Sequence, residues 1–261
     1  MINDHEIIKL YQEGSSLNEL SKRANLSVYK IKKILQTNDI KIRTRFEQTV
    51  LTNQKRAFPV NHNYFDILNN ENTYYLGFIA ADGCVSSGKR NDIKIGLSSI
   101  DEDWLIKFKE NIKSERPLRH YTTGKGFQVT ELHFSSLKIK TELAKYSIVP
   151  NKTEKGITMD SIPQEYKLSW IKGFFDGDGS FVYNKNTKQC MIKFTSHTKN
   201  ILEEINLFFQ NKGNIYIKEN NYSLEFSTLS SLAIMEKFYK INTPCLVRKK
   251  EKYELALLSR I

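Results

Sequence analysis

The chain has 261 residues, 39% of them hydrophobic and 11% aromatic, enough to bury a full core in one large domain or two small ones. Its 40 Lys and Arg against 29 Asp and Glu leave a formal charge of +11, an excess that favours a polyanionic partner. Three scattered cysteines, Cys84, Cys190 and Cys245, exclude a disulfide framework and a Cys-x-x-Cys metal knuckle, and no apolar run reaches membrane or signal-peptide length. The expectation is an intracellular protein, cytoplasmic or organellar, with no membrane partner.

Residues 3 to 13 read as a helix with Ile7, Ile8, Leu10 and Tyr11 on its apolar stripe and Gly14 at its end. A second helix from Ser16 carries Leu17, Leu20 and Ala24 on one face and breaks at Asn25-Leu26. Ser27 then caps a third, which buries Ile31, Ile34 and Leu35 and exposes Val28, Tyr29, Lys30, Lys32 and Lys33. This spacing resembles a helix-turn-helix DNA reader spanning residues 1–45, with those lysines and Tyr29 suited to phosphates and base edges. The next residues, 46–70, read as a basic linker. With Lys41, Arg43 and Arg45 just before it and Lys55 and Arg56 within it, the segment is expected to track a DNA backbone.

From Asn72 the chain repeats itself. A helix capped by Thr73 ends at Asp82, where Gly83 is expected to supply a left-handed stop. Strands 84–87 and 92–98, a helix at 101–112, strands 118–122 and 127–134 and a helix at about 136–146 complete a first unit. After a polar connection the same order returns, with a helix to Asp178, strands 180–183 and 190–195, a helix at 199–211, strands 214–218 and 222–227, and a helix at about 229–239. The fragments LHFSSL and LEFSTL occupy matching places, so residues 71–150 and 151–261 read as two copies of one helix-strand-strand-helix-strand-strand-helix unit.

The two most similar stretches, YYLGFIAADG from Tyr74 and WIKGFFDGDG from Trp170, each close on Asp-Gly. Gly77 with Ala81 and Gly173 with Gly177 stand four apart, on one helical face. Side chains that small let two helices approach closely, so these helices are expected to join the repeats. Asp82 and Asp178 then meet at two negative helix ends, an arrangement that calls for a hard cation such as Mg²⁺. Ala81 and Gly177, just before the acids, are further candidate ligands through their carbonyl groups. A metal bridging a phosphate implies phosphodiester hydrolysis. Alternation in the strands turns Ile93, Ile95, Leu118, Ile192, Phe194, Ile215, Ile217 and Leu224 toward the helices. It turns Lys94, Arg119, Tyr121, Lys193, Tyr216 and Lys218 outward, onto a basic face that fits a major groove.

These stretches resemble the LAGLIDADG motif of homing endonucleases, with YLGFIAADG from Tyr75 and IKGFFDGDG from Ile171 fitting it position by position. The resemblance covers roughly residues 60 to 255. It implies an α+β fold of two pseudo-symmetric αββαββα repeats with two antiparallel sheets forming a DNA saddle, preceded here by the small helical domain. It also implies a monomer that cuts both strands of a long asymmetric double-stranded DNA site, the last acid of each motif binding divalent metal. Lys138, at the start of a repeat's last helix, is the candidate basic residue beside the scissile phosphate. Ala80 stands where the motif usually has an acid and Lys172 where it has a small residue, and Gly96 in one sheet aligns with Lys193 in the other. Two other readings share this scaffold: an RNA-splicing maturase, which adds intron RNA as a partner, and a non-catalytic DNA-binding regulator.

Overall fold

The computed structural model describes residues 2–56, 58–88 and 91–259, and the chain divides into two units, Met1–Phe58 and Pro59–Ile261. Among the described residues no helix is long and apolar enough to cross a membrane.

The first unit is built from α1 (Asp4–Gln12), α2 (Leu17–Ala24), α3 (Val28–Thr37) and α4 (Arg45–Arg56). Ser16 and Glu19 close a reciprocal capping box on α2, Asn25 turns left-handed after it, and the Ser27 hydroxyl accepts from the Lys30 amide to start α3. Ile7, Tyr11, Leu20, Ala24, Ile31 and Leu35 form a small core of their own, with Ile34 only half-buried against it. Two features depart from a plain basic linker. Residues 45–56 are helical because Thr44 and Glu47 form a second capping box, the Glu47 amide donating to the Thr44 hydroxyl at 3.2 Å. The Arg43 guanidinium is not free to follow DNA: it lies 3.8 Å over the Tyr11 ring and donates to the carbonyls of Tyr11 and Ser15 and to Gln48. The side chains of Lys55 and Arg56 lie outside the described residues.

In the second unit, residues 59–68 strap onto the first repeat, with Phe65 fully buried and the Asn61 amide donating to the Ile112 carbonyl. The first repeat then runs α5 (Asn70–Asp82), β1 (Gly83–Val85), β2 (Asp92–Ser98), α6 (Glu102–Asn111), β3 (Arg119–Thr122), β4 (Gln128–Ser135) and α7 (Leu137–Lys145). A four-residue helix, α8 (Lys152–Lys155), leads to the second repeat. That repeat comprises α9 (Lys167–Asp178), β5 (Gly179–Asn184), β6 (Gln189–Ser196), α10 (Lys199–Phe208), β7 (Gly213–Ile217), β8 (Tyr222–Phe226) and α11 (Thr228–Lys240). A further helix, α12 (Val247–Leu258), was not expected from the sequence pattern. Both sheets are antiparallel, ordered β1-β2-β4-β3 and β5-β6-β8-β7, so the α+β fold of two matched repeats is the one observed.

The centre of this unit is the pair α5 and α9, both enclosed on nearly every side, mainly by apolar residues. A Cβ on Gly77 would stand 1.9 Å from the Trp170 carbonyl oxygen, and one on Gly173 would stand 1.9 Å from that of Tyr74. The contact is reciprocal, as a twofold axis between the helices requires. Two local expectations are corrected here. The cap of α5 is Asn69, whose side chain accepts from the Asn72 amide, while Thr73 is buried one turn inside. Gly83 and Gly179 are extended, not left-handed; they must be glycines because a Cβ would come within 2.6 Å of the Ile79 carbonyl and 2.5 Å of the Phe175 carbonyl.

Gly77→Ala and Gly173→Ala force backbone against backbone and should each destabilise the unit by about 3 kcal/mol or more. Gly124, with open space around it, is the control. In urea unfolding followed by circular dichroism, Gly124→Ala should leave the midpoint unchanged while the two interface variants lower it.

Candidate active site at the helix crossing

Because α5 and α9 touch through glycine, their C-terminal ends arrive together, and with them Asp82 and Asp178. Gly177 is part of this crossing: a Cβ there would meet the Ala81 methyl at 2.4 Å and an Asp82 carboxylate oxygen at 3.3 Å. Both acids are exposed, yet protein crowds each carboxyl. Burial, and then the charge of Asp178, push the Asp82 carboxyl up to about 6; burial also raises Asp178, against the pull of Lys152, Lys249 and His197.

Two lysines, Lys152 half-buried and Lys249 buried, offset the negative helix ends. Lys152 on α8 donates to the Ala81 carbonyl at 2.6 Å. Lys249 on α12 donates to the carbonyls of Phe175, Asp176 and Gly179 at 2.6, 2.7 and 2.7 Å. Burial brings the Lys249 ammonium down to about 8 and lowers Lys152 as well. Beside the acids, Asp178, Lys152 and His197 line a cleft of about 160 Å³.

The sequence had pointed to Lys138 for the basic role, and the structure places it elsewhere. Its ammonium pairs with Asp66 and donates to Asn63 at 2.7 Å, at the start of α7. The Ala81 carbonyl, expected as a metal ligand, is committed to Lys152. Lys152 and Lys249 were missed, although the duplication carries their signal: VPNKTEK and LVRKKEK are alike, and Lys152 follows Asp82 by 70 residues where Lys249 follows Asp178 by 71. The second fragment lay beyond the last expected element, so its position in the repeat went unread.

The donor set fits a hard divalent ion. Among the described residues neither carboxylate accepts a hydrogen bond, and no cluster of three or more His, Cys, Asp or Glu side chains is present to close a metal cage. Two carboxylates suit Mg²⁺, which takes few protein ligands and fills its other positions with water and phosphate oxygens.

The sheets flank this point. In the first, the register Lys94↔His133 and Arg119↔Glu131 sets Lys94, Arg119 and Tyr121 opposite the face that buries Ile93, Ile95 and Leu132. In the second, Lys193↔Glu225 and Tyr216↔Ser223 do the same for Lys193 and Tyr216. Stacking reinforces both faces: the Arg119 guanidinium lies 5.1 Å from the Tyr121 ring and the Lys218 ammonium 5.5 Å from that of Tyr216. The faces are not uniformly basic, since Lys193 pairs with Glu225 at 3.7 Å. Ile217, expected inside, is 79% exposed because β7 ends there, beyond the cover of the helices. In the first unit Tyr29, Lys30, Lys32 and Lys33 are exposed along α3.

Residues 165–240 match the family model of the LAGLIDADG-like domain. Over 231 residues the chain is 26% identical to an uncharacterised protein of Methanocaldococcus jannaschii, spanning 84% of this chain and 82% of the relative. A stretch of 113 residues is 28% identical to the intron-encoded DNA endonuclease ai2b of Dictyostelium discoideum, spanning 40% of each chain. Among solved structures, the LAGLIDADG meganuclease I-AabMI bound to uncleaved DNA aligns with a TM-score of 0.50 at 16% identity, over 73% of this chain and 89% of that one. The LAGLIDADG homing endonuclease I-GzeII in complex with its DNA target aligns with a TM-score of 0.51 at 15% identity, over 74% and 90%. Identities this low establish the fold alone.

A carboxyl raised to about 6 in the folded chain from an ordinary 3.8 contributes instability that is full above pH 6 and is lost progressively as pH falls from 6 to below the ordinary value. In metal-free buffer Asp82→Asn should therefore melt higher than the parent at pH 7.5. The gap should narrow on titrating toward pH 5 and close below about pH 4, beneath the ordinary carboxyl value, as read by differential scanning calorimetry.

Proposed function

We propose that the chain is a site-specific DNA endonuclease, a reading supported by the match of residues 165–240 to the LAGLIDADG-like domain and by the fold that the two repeats share with LAGLIDADG endonucleases. It hydrolyses both strands of a long asymmetric duplex with Mg²⁺ and acts as a monomer. The observation that carries this reading is the meeting of Asp82 and Asp178 at two helix ends that Lys152 and Lys249 neutralise.

Asp82 and Asp178 hold the divalent ion, one carboxylate from each half. When bound, that ion supplies a deprotonated water and a positive charge at the leaving oxygen. The lysines let two acids share the crossing by offsetting the carbonyl dipoles beneath them. Lys94, Arg119, Tyr121, Lys193, Tyr216 and Lys218 lie along the duplex in the major groove and fix its register. The strand register sets Lys193 at the place of Lys94, not of Gly96, which matches Thr195; inequality of the two faces, with Glu131 opposite Gly96 in one and Ser223 opposite Thr195 in the other, favours an asymmetric target. Tyr29, Lys30, Lys32 and Lys33 extend the contact from the first unit.

In Mg²⁺, incubation with a randomised duplex library should yield linear double-strand cleavage products with a common sequence. Asp82→Asn and Asp178→Asn should each reduce this cutting to background while binding of the recovered duplex in Ca²⁺ persists; full activity in either variant removes the metal assignment. A duplex that is bound and never cut by the parent chain favours the non-catalytic regulator.

Replacing Lys30, Lys32 and Lys33 by alanine one at a time in the full chain should lower the magnitude of the salt slope, d log K/d log[salt], by about 1 for each lysine that meets a phosphate. Fluorescence anisotropy at a series of salt concentrations measures it, and unchanged slopes place α3 away from the DNA.

A further inference from the structure

The two repeats differ most on the buried face of the motif helix. At the places where α5 carries Leu76 and Ala80, α9 carries Lys172 and Asp176, one turn apart and each almost wholly buried. Both reach the same short segment. Lys172 donates to the Thr243 hydroxyl at 2.7 Å, its ammonium lying between the rings of Tyr74 and Tyr239 at 5.6 and 5.3 Å. Asp176 accepts from the Leu246 amide at 3.3 Å. Residues 243–246 lead directly into α12, which carries Lys249.

Asp176 is tied to the other repeat as well. The Tyr74 hydroxyl donates to it at 2.7 Å and in turn accepts from the Trp104 indole at 2.8 Å. This line of hydrogen bonds passes from α6 through α5 and α9 to the start of α12. Asp176 is also the opposite charge acting most strongly on the Lys249 ammonium. A second anchor, Arg248 donating to Asp101 at 2.9 and 3.0 Å, keeps the same helix against the first repeat.

Among the described residues nothing matches this on the other side. Leu76 and Ala80 offer no polar atom to residues 146–149, and α8 is a four-residue helix whose Lys152 meets one carbonyl where Lys249 meets three. Burying two such polar groups is costly unless they are hydrogen-bonded, and the bonds from Lys172 to Thr243 and from Leu246 to Asp176 form in one docked position of that segment.

We propose that Lys172 and Asp176 are positioning residues that clamp the entry to α12, holding Lys249 on the carbonyl end of α9 in one half of the enzyme only. The carbonyl end of α9 thus depends on a docked C-terminal helix and that of α5 on a four-residue helix, so the two DNA strands are cut by unequally supported sites. The consequence for strand cutting rests on the endonuclease reading; the docking of α12 does not.

The double variant Lys172→Leu with Asp176→Ala gives α9 the residues of α5 and leaves neither charge buried alone. In the DNA-free chain, amide hydrogen exchange over 247–258 should speed at least tenfold and Lys249 should acetylate faster, while the amides of α5 keep their protection. With duplex recovered from the randomised library, end-labelled strands should show the same single strand slowed at least tenfold, so that nicked duplex accumulates, with binding in Ca²⁺ unchanged. Tyr74→Phe, which removes one hydroxyl, should move every readout the same way by a smaller factor and serves if the double variant does not fold. Unchanged exchange over 247–258, or equal slowing of both strands, overturns the proposal. If the parent chain cuts nothing in the library, the endonuclease reading fails, and exchange and Lys249 acetylation still decide the docking.

Discussion

Two glycines facing two carbonyl groups set the scale of everything else in the second unit. With Gly77 against the Trp170 carbonyl and Gly173 against that of Tyr74, α5 and α9 lie closer than side-chain packing would permit. Neither helix gains from a central glycine by itself, since each costs about 1 kcal/mol of helix stability relative to alanine. Close approach recovers that cost by enclosing a belt of aromatics, Phe78 stacked on Trp104 at 3.8 Å and Trp170 on Phe174 at 5.3 Å, in one core that spans both repeats.

The same approach creates an electrostatic difficulty. Two helix ends, each with unsatisfied carbonyls and an aspartate, are brought to one place. The chain answers with Lys152 and Lys249, delivered by segments that follow each repeat at nearly equal spacing. They satisfy the carbonyls and leave the carboxylates without hydrogen-bond partners among the described residues. Burial, and then the charge of Asp178, hold the Asp82 carboxyl up at about 6. Stability is given up at the point where the two acids meet.

Symmetry is kept in the backbone and broken in the side chains. Sheet order, helix order and the glycine contacts repeat, whereas Lys172 and Asp176 have no polar counterparts at Leu76 and Ala80. Open faces of the two sheets also differ, with His133 opposite Lys94 in one and Glu225 opposite Lys193 in the other. A duplicated scaffold can diverge in this way because packing constrains only the residues turned inward.

The chain's own pattern determined the repeat, the order of strands and helices, the glycine faces and the two closing acids, because periodicity, glycine spacing and turn chemistry act within a few residues. It also held signals that went unread. Thr44 and Glu47 spell the capping box that makes α4 a helix, Asn69 and Asn72 the one that starts α5, and the VPNKTEK and LVRKKEK fragments mark the paired lysines. Only the tertiary structure decided which cation stands beside which acid. Lys138, Lys152 and Lys249 look alike along the chain, and each ammonium goes to whatever oxygen the fold brings within reach: Asp66 for one, helix-end carbonyls for the others. Such pairings join residues far apart in the chain, where local pattern carries no information and the meeting of α5 with α9 supplies it all.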